Sequence, residues 1–195
     1  LTALSGSGLF GQIKATISQP ELFTATASSD ASAGEYRIEV VQMASAHKLL
    51  SGAFAANTAI GTGTLAITAG GTSFEVAIDE NGQTLSAIRD RINAATGNPG
   101  IVARVVDGDD GQHLILTQGK TGSDQAITIT TSGGNGGLAS LVHDPLNAVT
   151  GNYTEQSPAH DAQIRIDGVL RSSPTNRIED VVDGVDLELL AANPG

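Results

Sequence analysis

Short segments in which apolar and polar residues alternate, separated by glycine-containing turns, run through most of this chain. In one of them Tyr36, Ile38 and Val40 alternate with charged residues, which is the period typical of a half-buried strand. Residues 61–80 show the same pattern on both sides of a Gly-Gly pair, which indicates a hairpin. The sequence therefore predicts short strands joined by tight turns rather than a helical bundle.

The composition limits how such strands can build a core. Aromatic residues make up 3% of the 195 residues and tryptophan is absent, so the core must come from Val, Ile, Leu and Ala. The 24 glycines are consistent with many turns. A chain of this length fits one medium domain or two small ones.

The charge balance, 10 basic against 21 acidic residues, gives a formal net charge of −11. Nucleic acids and anionic membrane surfaces both require a basic face, so neither is an expected partner. No apolar run approaches the roughly 20 residues that cross a bilayer. A secretory signal is also missing, and because the chain begins at Leu1 rather than Met we expect an excised fragment of a longer protein.

Cysteine is absent, which excludes disulfides, thiolate nucleophiles and zinc sites built on cysteine. The cellular compartment stays open on this evidence. A cytosolic chain can lack cysteine, and so can a chain that is exported unfolded through a narrow secretion channel.

One helix is predicted from about Thr84, whose hydroxyl is a suitable N-cap. Leu85, Ile88 and Ile92 follow at spacings that place them on one apolar face. Gly97 and the proline two residues later would end this helix.

A second, short helix is predicted near the end of the chain. Asn176 and Glu179 have the spacing of a capping box, and Gly184 would stop the helix. Residues 162–190 would then repeat the order of hairpin, capped helix and strand that residues 64–106 show. Two explanations remain open: a repeat of two related small domains, or the general likeness of short units of this kind.

Counting strands predicts how the chain is divided. Residues 21–56 and 132–195 contain strands without enough local partners, so together they would form one discontinuous domain with residues 57–131 inserted. Residues 131–161 are polar, which is typical of a linker or a long surface loop. Residues 1–20 would be the weakly helical end of a segment that continues beyond the chain. The expected fold class is α+β and β-rich, with two small domains of antiparallel strands and short helices, one inserted in the other.

Two glycine motifs resemble nucleotide-binding signatures. Gly6, Gly8 and Gly11 match the spacing GxGxxG, but no strand precedes them, so we expect a coincidental match. Residues 119–121, Gly-Lys-Thr, resemble the end of a phosphate-binding loop, but the earlier glycine is missing and no apolar helix follows. A turn between two strands is the better interpretation of this second motif.

Acidic residues and histidines supply no local site signature. Asp107, Asp109 and Asp110 lack the further acid and the distal Glu of a calcium loop, so we expect a solvated hairpin turn. No histidine has HxH or HxxxH spacing to another, and no GxSxG nucleophile motif is present. The four histidines are His47, His113, His143 and His160. We therefore expect no catalytic, cofactor-binding or metal-binding residues, no cofactor and no enzymatic activity.

Two stretches resemble a known family. The first comprises residues 34–49 and 84–106, where the helix that carries Ile88, Ile92 and Asn93 resembles a short repeat shared by hook and filament proteins. The second comprises residues 161–190 and is similar to the signature of one family. Its motif residues are Ile166-Asp167-Gly168, Asn176, Ile178 and Gly184-Val185.

Together, over about residues 23–190, the two stretches resemble the bacterial flagellar hook-associated protein 2 family, the filament cap proteins. The resemblance implies helical legs from both chain ends and a head of two β-rich domains, which forms a homo-oligomeric ring at the growing filament tip. The legs guide incoming flagellin, and the protein is exported unfolded by the flagellar secretion apparatus without a cleaved signal peptide.

For this chain the resemblance implies the head alone, because the long terminal heptad segments are missing and residues 1–20 would be the remnant of a leg. The implied location is extracellular, at the distal tip of the bacterial flagellum. The implied partners are further copies of the chain and flagellin. The residues of the subunit contacts are unknown at this point, and so is whether the head alone oligomerises.

Two other classes of function stay open. Caps of some bacteria also bind host mucus, so the first alternative is an extracellular adhesin module that binds mucin or glycan. It would depend on few aromatic rings, among them the two tyrosines, Tyr36 and Tyr153. The second is a hydrolase, which would require Asp and His side chains to converge in a closed cleft.

Overall fold

A computed structural model describes residues 14–193, which fold into antiparallel sheets. Contacts within the chain define two compact units. The first combines residues up to Ala44 with residues from Asp161 onward, and the second is Ser45–His160.

The described residues form one α-helix and a series of short strands. In chain order the strands are β1 (Phe23–Ala27), β2 (Ile38–Gln42), β3 (Ala46–Ser51), β4 (Gly63–Ala69), β5 (Thr72–Ile78), β6 (Ile101–Gly108), β7 (Gly111–Thr121), β8 (Thr128–Ser132), β9 (Tyr153–Ser157), β10 (Ala162–Ile166), β11 (Val169–Ser173), β12 (Arg177–Val182) and β13 (Val185–Leu189). Helix α1 is Leu85–Ala94, and 3₁₀ turns span Ser123–Gln125, Gly137–Leu141 and Pro145–Asn147.

The first unit is built from two three-stranded sheets with strand orders β1-β13-β12 and β11-β10-β2. β1 pairs with β13 and β2 pairs with β10, both antiparallel, so strands from the two ends of the chain complete each other's sheets. The core is mostly aliphatic, as the low aromatic content requires. Its buried members are Phe23, Val40, Ala44, Ala162, Ile164, Ile178, Val181, Leu187 and Leu189.

The second unit contains a four-stranded sheet of order β6-β7-β3-β9 and a three-stranded sheet of order β5-β4-β8. β4 and β5 form the hairpin predicted in residues 61–80. Gly70 and Gly71 turn it with left-handed backbones, at φ 60° and 72°. The largest fully buried side chains of this unit are Leu49, Leu65, Ile67, Ile88, Ile92, Leu114, Leu116, Ile127, Ile129, Leu138 and Leu141.

Helix α1 confirms the helix predicted from Thr84. The Thr84 hydroxyl accepts a hydrogen bond from the Ala87 N–H at 3.3 Å. Leu85, Ile88 and Ile92 are buried, as the predicted apolar face requires. Fully burying an aliphatic side chain of this size contributes about 1.5–3 kcal/mol, so this face holds the helix against the sheets.

The second helix predicted near the end of the chain is wrong, because β12 and β13 occupy that segment. Ile178 lies opposite Leu187, and both side chains are buried. Asn176, the expected cap, instead pairs its side-chain amide with the backbone of Ala44: it accepts the N–H at 2.7 Å and donates to the C=O at 3.1 Å. The suggested internal repeat therefore lacks its second helix.

Residues 131–161 are not the linker or surface loop that their composition indicates. The turn Gly137–Leu141 buries Leu138 and Leu141 in the core of the second unit, and strand β9 pairs with β3. Local composition could not reveal this, because the strand that makes the segment ordered lies far away in the sequence.

We expected the inserted domain to span residues 57–131, but the second unit spans Ser45–His160. β3 pairs with β7 and β9, so residues 45–56 and 132–160 lie in the second unit. The chain enters and leaves this unit at Ser45 and His160, whose backbones exchange hydrogen bonds of 3.0 and 3.3 Å.

Residues 1–13 lie outside the described residues. The glycine motif at Gly6, Gly8 and Gly11 falls there, and so does most of the helical remnant expected at residues 1–20. Residues 14–19, which are described, form no helix. No helix within residues 14–193 is long and apolar enough to cross a membrane.

A close approach of two chain segments in the second unit requires a glycine at Gly134. Its backbone is left-handed, at φ 71°, and an added Cβ would overlap the carbonyl oxygen of Thr62. Gly133 is also left-handed, at φ 65°, but a Cβ there would meet no atom within 4 Å. This pair therefore separates the cost of the backbone conformation from the cost of the close approach.

Gly134→Ala is expected to lower the free energy of unfolding more than Gly133→Ala does. The control carries only the cost of a left-handed alanine, about 1–2 kcal/mol. Gly134→Ala adds the displacement of the Thr62 backbone, about 1–3 kcal/mol more. Urea denaturation followed by circular dichroism measures both values, and equal losses would contradict the close approach.

The Asn93 side chain, near the end of α1, serves as a backbone partner for the edge strand β6. Its Nδ2 donates to the Ala103 C=O at 2.9 Å, and its Oδ1 accepts the Ala103 N–H at 2.8 Å. An unpaired backbone group buried away from water is costly, so this amide stabilises the edge of the sheet.

Asn93→Ala is expected to reduce the free energy of unfolding by about 1–3 kcal/mol, because both backbone groups of Ala103 lose their partner. Asn81→Ala, at an exposed asparagine before α1, is the matched control and should change it by less than about 0.5 kcal/mol. Chemical denaturation measures both variants. Faster hydrogen exchange at the Ala103 amide in Asn93→Ala alone would locate the effect, and unchanged exchange there would count against the pairing.

Candidate functional site

Four polar side chains from three segments of the second unit lie close together; His47, His143 and Tyr153 are buried, and Glu155 is half exposed. Pairing of β3 with β9 brings His47 next to Glu155. The His143 ring lies 6.0 Å from the His47 ring, and Tyr153 contacts His143 edge-on at 5.7 Å between ring centres. We call His47, His143, Tyr153 and Glu155 the histidine cluster.

His47 is held by hydrogen bonds at both ring nitrogens. Its Nδ1 accepts the backbone N–H of Ile127 at 2.8 Å, so this nitrogen carries no proton. Its Nε2 therefore donates to the Glu155 carboxylate at 2.7 Å. Because His47 is 2% exposed, these two bonds tie β3 to β9 and to the residue that precedes β8 from inside the unit.

His143 lacks comparable partners. It is 5% exposed, and neither its Nδ1 nor the Tyr153 hydroxyl has a hydrogen-bond partner within residues 14–193. Burial lowers the pKa of His143, and the nearby His47 lowers it further, while the carboxylates of Glu155 and Asp144 oppose this shift. Burial also raises the pKa of Tyr153. Both side chains are therefore neutral near pH 7.

The histidine cluster has the chemistry of a buried proton acceptor rather than that of a catalytic or metal site. Within the described part of the chain no group of three or more His, Asp or Glu side chains is placed to hold a metal ion. His47 already uses both ring nitrogens, and His143 is shielded from solvent. Neither ring is available as a general base for a bound substrate.

The turn between β6 and β7 contains the acidic residues considered for calcium. Asp107 accepts a hydrogen bond from the Gln112 amide at 2.8 Å, and Asp110 accepts one from His113 at 2.9 Å. Asp109 is exposed. These bonds close a solvated hairpin turn, as expected, and the Asp110–His113 pair lies on this turn rather than in the closed cleft that a hydrolase would require.

The remaining motif residues lie in or beside strands. Residues 119–121 form the end of strand β7, so the turn expected there is wrong, and their phosphate-loop pattern lies within a strand. His160 is exposed and pairs through its backbone with Ser45.

His113, in β7, faces hydrogen-bond acceptors at both ring nitrogens. Its Nδ1 lies 2.9 Å from the Ser51 carbonyl oxygen, and its Nε2 lies 2.9 Å from the Asp110 carboxylate. The bond to Ser51 and then the bond to Asp110 raise the pKa of His113, and the Asp110 bond lowers the pKa of that carboxyl. The surroundings of His113 therefore stabilise its protonated form, whereas those of His143 stabilise the neutral form.

Exposed apolar side chains mark surfaces that other proteins could contact. Leu146 is 92% exposed at the tip of a loop closed by two backbone hydrogen bonds between Asp144 and Val149. Val169 and Leu170, in β11, are 69% and 52% exposed. The first unit also contains a groove of about 1120 Å³. Its apolar lining includes Ile17, Leu22, Ala25, Ile38, Ile166 and Val185.

Comparisons with known proteins identify this architecture. Residues 1–47 match the family described as the flagellar hook-associated protein 2 N-terminus, and residues 64–120 match the flagellin hook IN motif. The B-type flagellar hook-associated protein 2 of Pseudomonas aeruginosa is 33% identical over 98% of this chain and 43% of its own length. The crystal structure of FliD from Pseudomonas aeruginosa PAO1 matches at a TM-score of 0.79 and 31% identity, over 89% of this chain and 80% of that chain. The chain belongs to the flagellar hook-associated protein 2 family.

A structure from this family covers the same part of the protein. The crystal structure of the flagellar cap protein FliD D2-D3 domains from Escherichia coli matches at a TM-score of 0.79 and 28% identity, over 89% of this chain and 91% of that chain. The chain spans about two fifths of the length of the curated hook-associated proteins, with 43% and 42% for two of them. The predicted family and the β-rich α+β fold class are thus confirmed.

The family matches fall on different units. The hook-associated protein 2 match at residues 1–47 includes β1 and β2 of the first unit. The IN-motif match at residues 64–120 includes β4 to β7 and α1 of the second unit. Asn93, on which the resemblance to hook and filament proteins partly rests, lies in this second match.

The adhesin alternative is not supported. Tyr153 is 8% exposed and belongs to the histidine cluster, so its ring cannot stack on a sugar. Tyr36 is 42% exposed, so a sugar would have to stack on this ring without help from the Tyr153 ring. The relatives reported above carry the names of hook-associated or cap proteins.

Sequence reasoning missed the histidine cluster because His47 and Glu155 are 108 residues apart. One signal was present. His47 alternates with Leu49 and Ser51, whose side chains are buried on one face of β3. A histidine on the buried face of a strand requires a polar partner, but the sequence does not identify that partner.

Asp110→Asn is expected to lower the pKa of His113, because the carboxylate that accepts the Nε2 proton is removed. In the unmodified chain the bonds of His113 stabilise the fold fully below about pH 6.5, and this contribution is lost as the pH rises through the raised pKa. NMR titration of the histidine rings measures the shift. Asp109→Asn, at the exposed neighbour, should leave the midpoint unchanged, and an unchanged midpoint in Asp110→Asn would refute the assigned bond.

Proposed function

We propose that this chain is the head of a flagellar filament cap, a structural protein at the distal tip of the filament that promotes flagellin assembly. The observation that carries the proposal is the match of both units, in one chain order, to crystal structures of FliD cap proteins over 89% of the chain. The chain spans about two fifths of its curated relatives, so the activity of the whole protein is inferred through the family.

The two units would be the two head domains, the first discontinuous and the second inserted in it, with residues 1–20 as the remnant of a helical leg. Strand pairing supports this division. β1 and β2 find their partners in β13 and β10, whereas β3 to β9 pair among themselves.

Further copies of the chain and flagellin are the proposed partners, with the copies arranged in a ring. Charged residues make up 16% of the sequence, and Leu146 and Leu170 are exposed on different units. Such surfaces suit contacts that are weak singly and strong when a closed ring repeats them. The net charge of −11 disfavours nucleic acid and anionic membranes as partners, and the burial of Tyr153 removes one of the two tyrosine rings considered for mucin.

The proposed location is extracellular, at the flagellum tip, reached by export of the unfolded chain through the flagellar secretion apparatus without a cleaved signal peptide. The sequence contains no cysteine, so folding after export would require no disulfide formation. The fold depends instead on strand pairing and apolar burial, which form spontaneously in water.

The proposed role is structural and not enzymatic. The titratable groups that the structure brings together are used within the fold: His47 joins three segments of the second unit, and His113 stabilises an exposed turn. Neither group adjoins a nucleophile in a closed cleft.

The full-length parent of this chain, expressed in a bacterium that lacks its own cap, is expected to restore swimming and to keep flagellin on the filament. Motility in soft agar and the amount of flagellin in the culture medium measure the two effects. The host's own cap gene is the positive control. Co-expression of flagellin from the same source as the parent controls for a mismatch between cap and filament.

Export and folding of the parent are checked in the same cultures by its presence in the medium and its resistance to protease. If an exported and folded parent still leaves flagellin in the medium when the matched flagellin is supplied, the cap proposal fails.

A further inference from the structure

We propose that the histidine cluster is an acid-sensitive latch: it holds residues 137–149 against the rest of the second unit while His143 is neutral, and it releases them when His143 takes up a proton. This inference is independent of the cap function, because it concerns the folding of the second unit itself.

Residues 137–149 are held mainly at their centre. The backbone of His143 exchanges two hydrogen bonds with Ile129 of β8, at 2.7 and 2.9 Å. Leu138 and Leu141 are buried in the core. The segment is therefore held by two core leucines and by the backbone of His143, whose side chain is buried.

A side-chain amide provides a further tether. The Asn152 Nδ2 donates to the carbonyl oxygens of Ala139 and Val142, at 2.9 Å each. The loop that follows is closed by Asp144 and Val149, so it would move together with His143.

The charged groups beside His143 are already engaged, so a proton on its ring would have no unoccupied charged partner. His47 already uses its Nδ1 to accept the Ile127 N–H, and its Nε2 holds the Glu155 carboxylate. Tyr153 presents a phenol whose hydroxyl is itself without a partner within the described residues.

The carboxylate nearest to His143 along the chain is also occupied. Asp144 accepts from the Asn147 backbone at 3.3 Å and from the Asn147 side-chain amide at 2.6 Å. A charged His143 would thus be buried without a direct counter-charge, which is costly. Exposure of the ring to water removes that cost.

The geometry favours local opening over unfolding of the whole unit. Gly133 and Gly136 precede the segment with left-handed backbones and have no atom within 4 Å of an added Cβ, so the chain has room to bend there. The ladders that join β3 to β7 and β9 include no residue of 137–149. Segments with few ladder hydrogen bonds open at a lower free energy than the core does.

The direction of the pH response follows from the environment of the ring. Burial lowers the pKa of His143, so the closed form binds this proton less readily than an exposed histidine, whose pKa is about 6.5. The stability of the closed latch is fully present above that value and is lost as the pH falls through the lowered pKa. His113 responds in the opposite sense, but its ring is bound at Ser51 and the β6–β7 turn.

Hydrogen exchange, corrected for the intrinsic rate at each pH, tests the latch in the unmodified chain. The opening constants of the amides of residues 138–143 are expected to rise about tenfold for each pH unit between 6.5 and the lowered pKa. Amides of β3 and β7 should not follow this rise. In His143→Phe, which keeps a ring beside Tyr153 but removes the titrating nitrogens, the rise should fall below about twofold by the same relation.

His160→Phe is the matched control, because the same substitution at an exposed histidine should leave the response of residues 138–143 intact. NMR titration of the His143 ring in the unmodified chain gives a second test that requires no variant. An equal rise in His143→Phe and the unmodified chain would overturn the proposal. So would a His143 ring that titrates at or above pH 6.5 while residues 138–143 stay closed.

Discussion

Pairing between strands that are distant in sequence is the constraint on which the rest of this structure depends. β2 pairs with β10 in the first unit, and β3 pairs with β9 in the second. Each strand is too short to bury its apolar face alone, so the cores of both units form only when these partners meet. Closing such long loops costs conformational entropy before any contact compensates for it, so each unit should fold cooperatively and not strand by strand.

Where strand pairing stops, side-chain amides take the place of a backbone partner. Asn93 pairs with both backbone groups of Ala103 in the second unit, and Asn176 does the same for Ala44 in the first. These asparagines lie in the two stretches that resemble the hook-associated family. Their shared geometry gives the resemblance a physical meaning, because an amide carries a donor and an acceptor spaced like those of a peptide group.

Three histidines show how differently one residue type can be used in one unit. His47 has both nitrogens satisfied, His113 has two acceptors, and His143 has an Nδ1 without a partner among the described residues. Burial without a hydrogen bond favours the neutral ring, and two acceptors favour the charged one. The stability of the second unit therefore combines two histidine contributions that change in opposite directions with pH.

The sequence by itself determined the local elements. Alternation predicted β2, β4 and β5, the apolar stripe after Thr84 predicted α1, and the resemblance of two stretches indicated the family. These features depend on neighbours a few residues apart, which the sequence shows directly. Only the tertiary structure decided that a strand follows Asn176, that Leu138 and Leu141 are buried, and that His47 meets Glu155 and His143. Each of these outcomes depends on a partner far away in the chain, and the residues of one segment do not specify which distant strand will lie beside it.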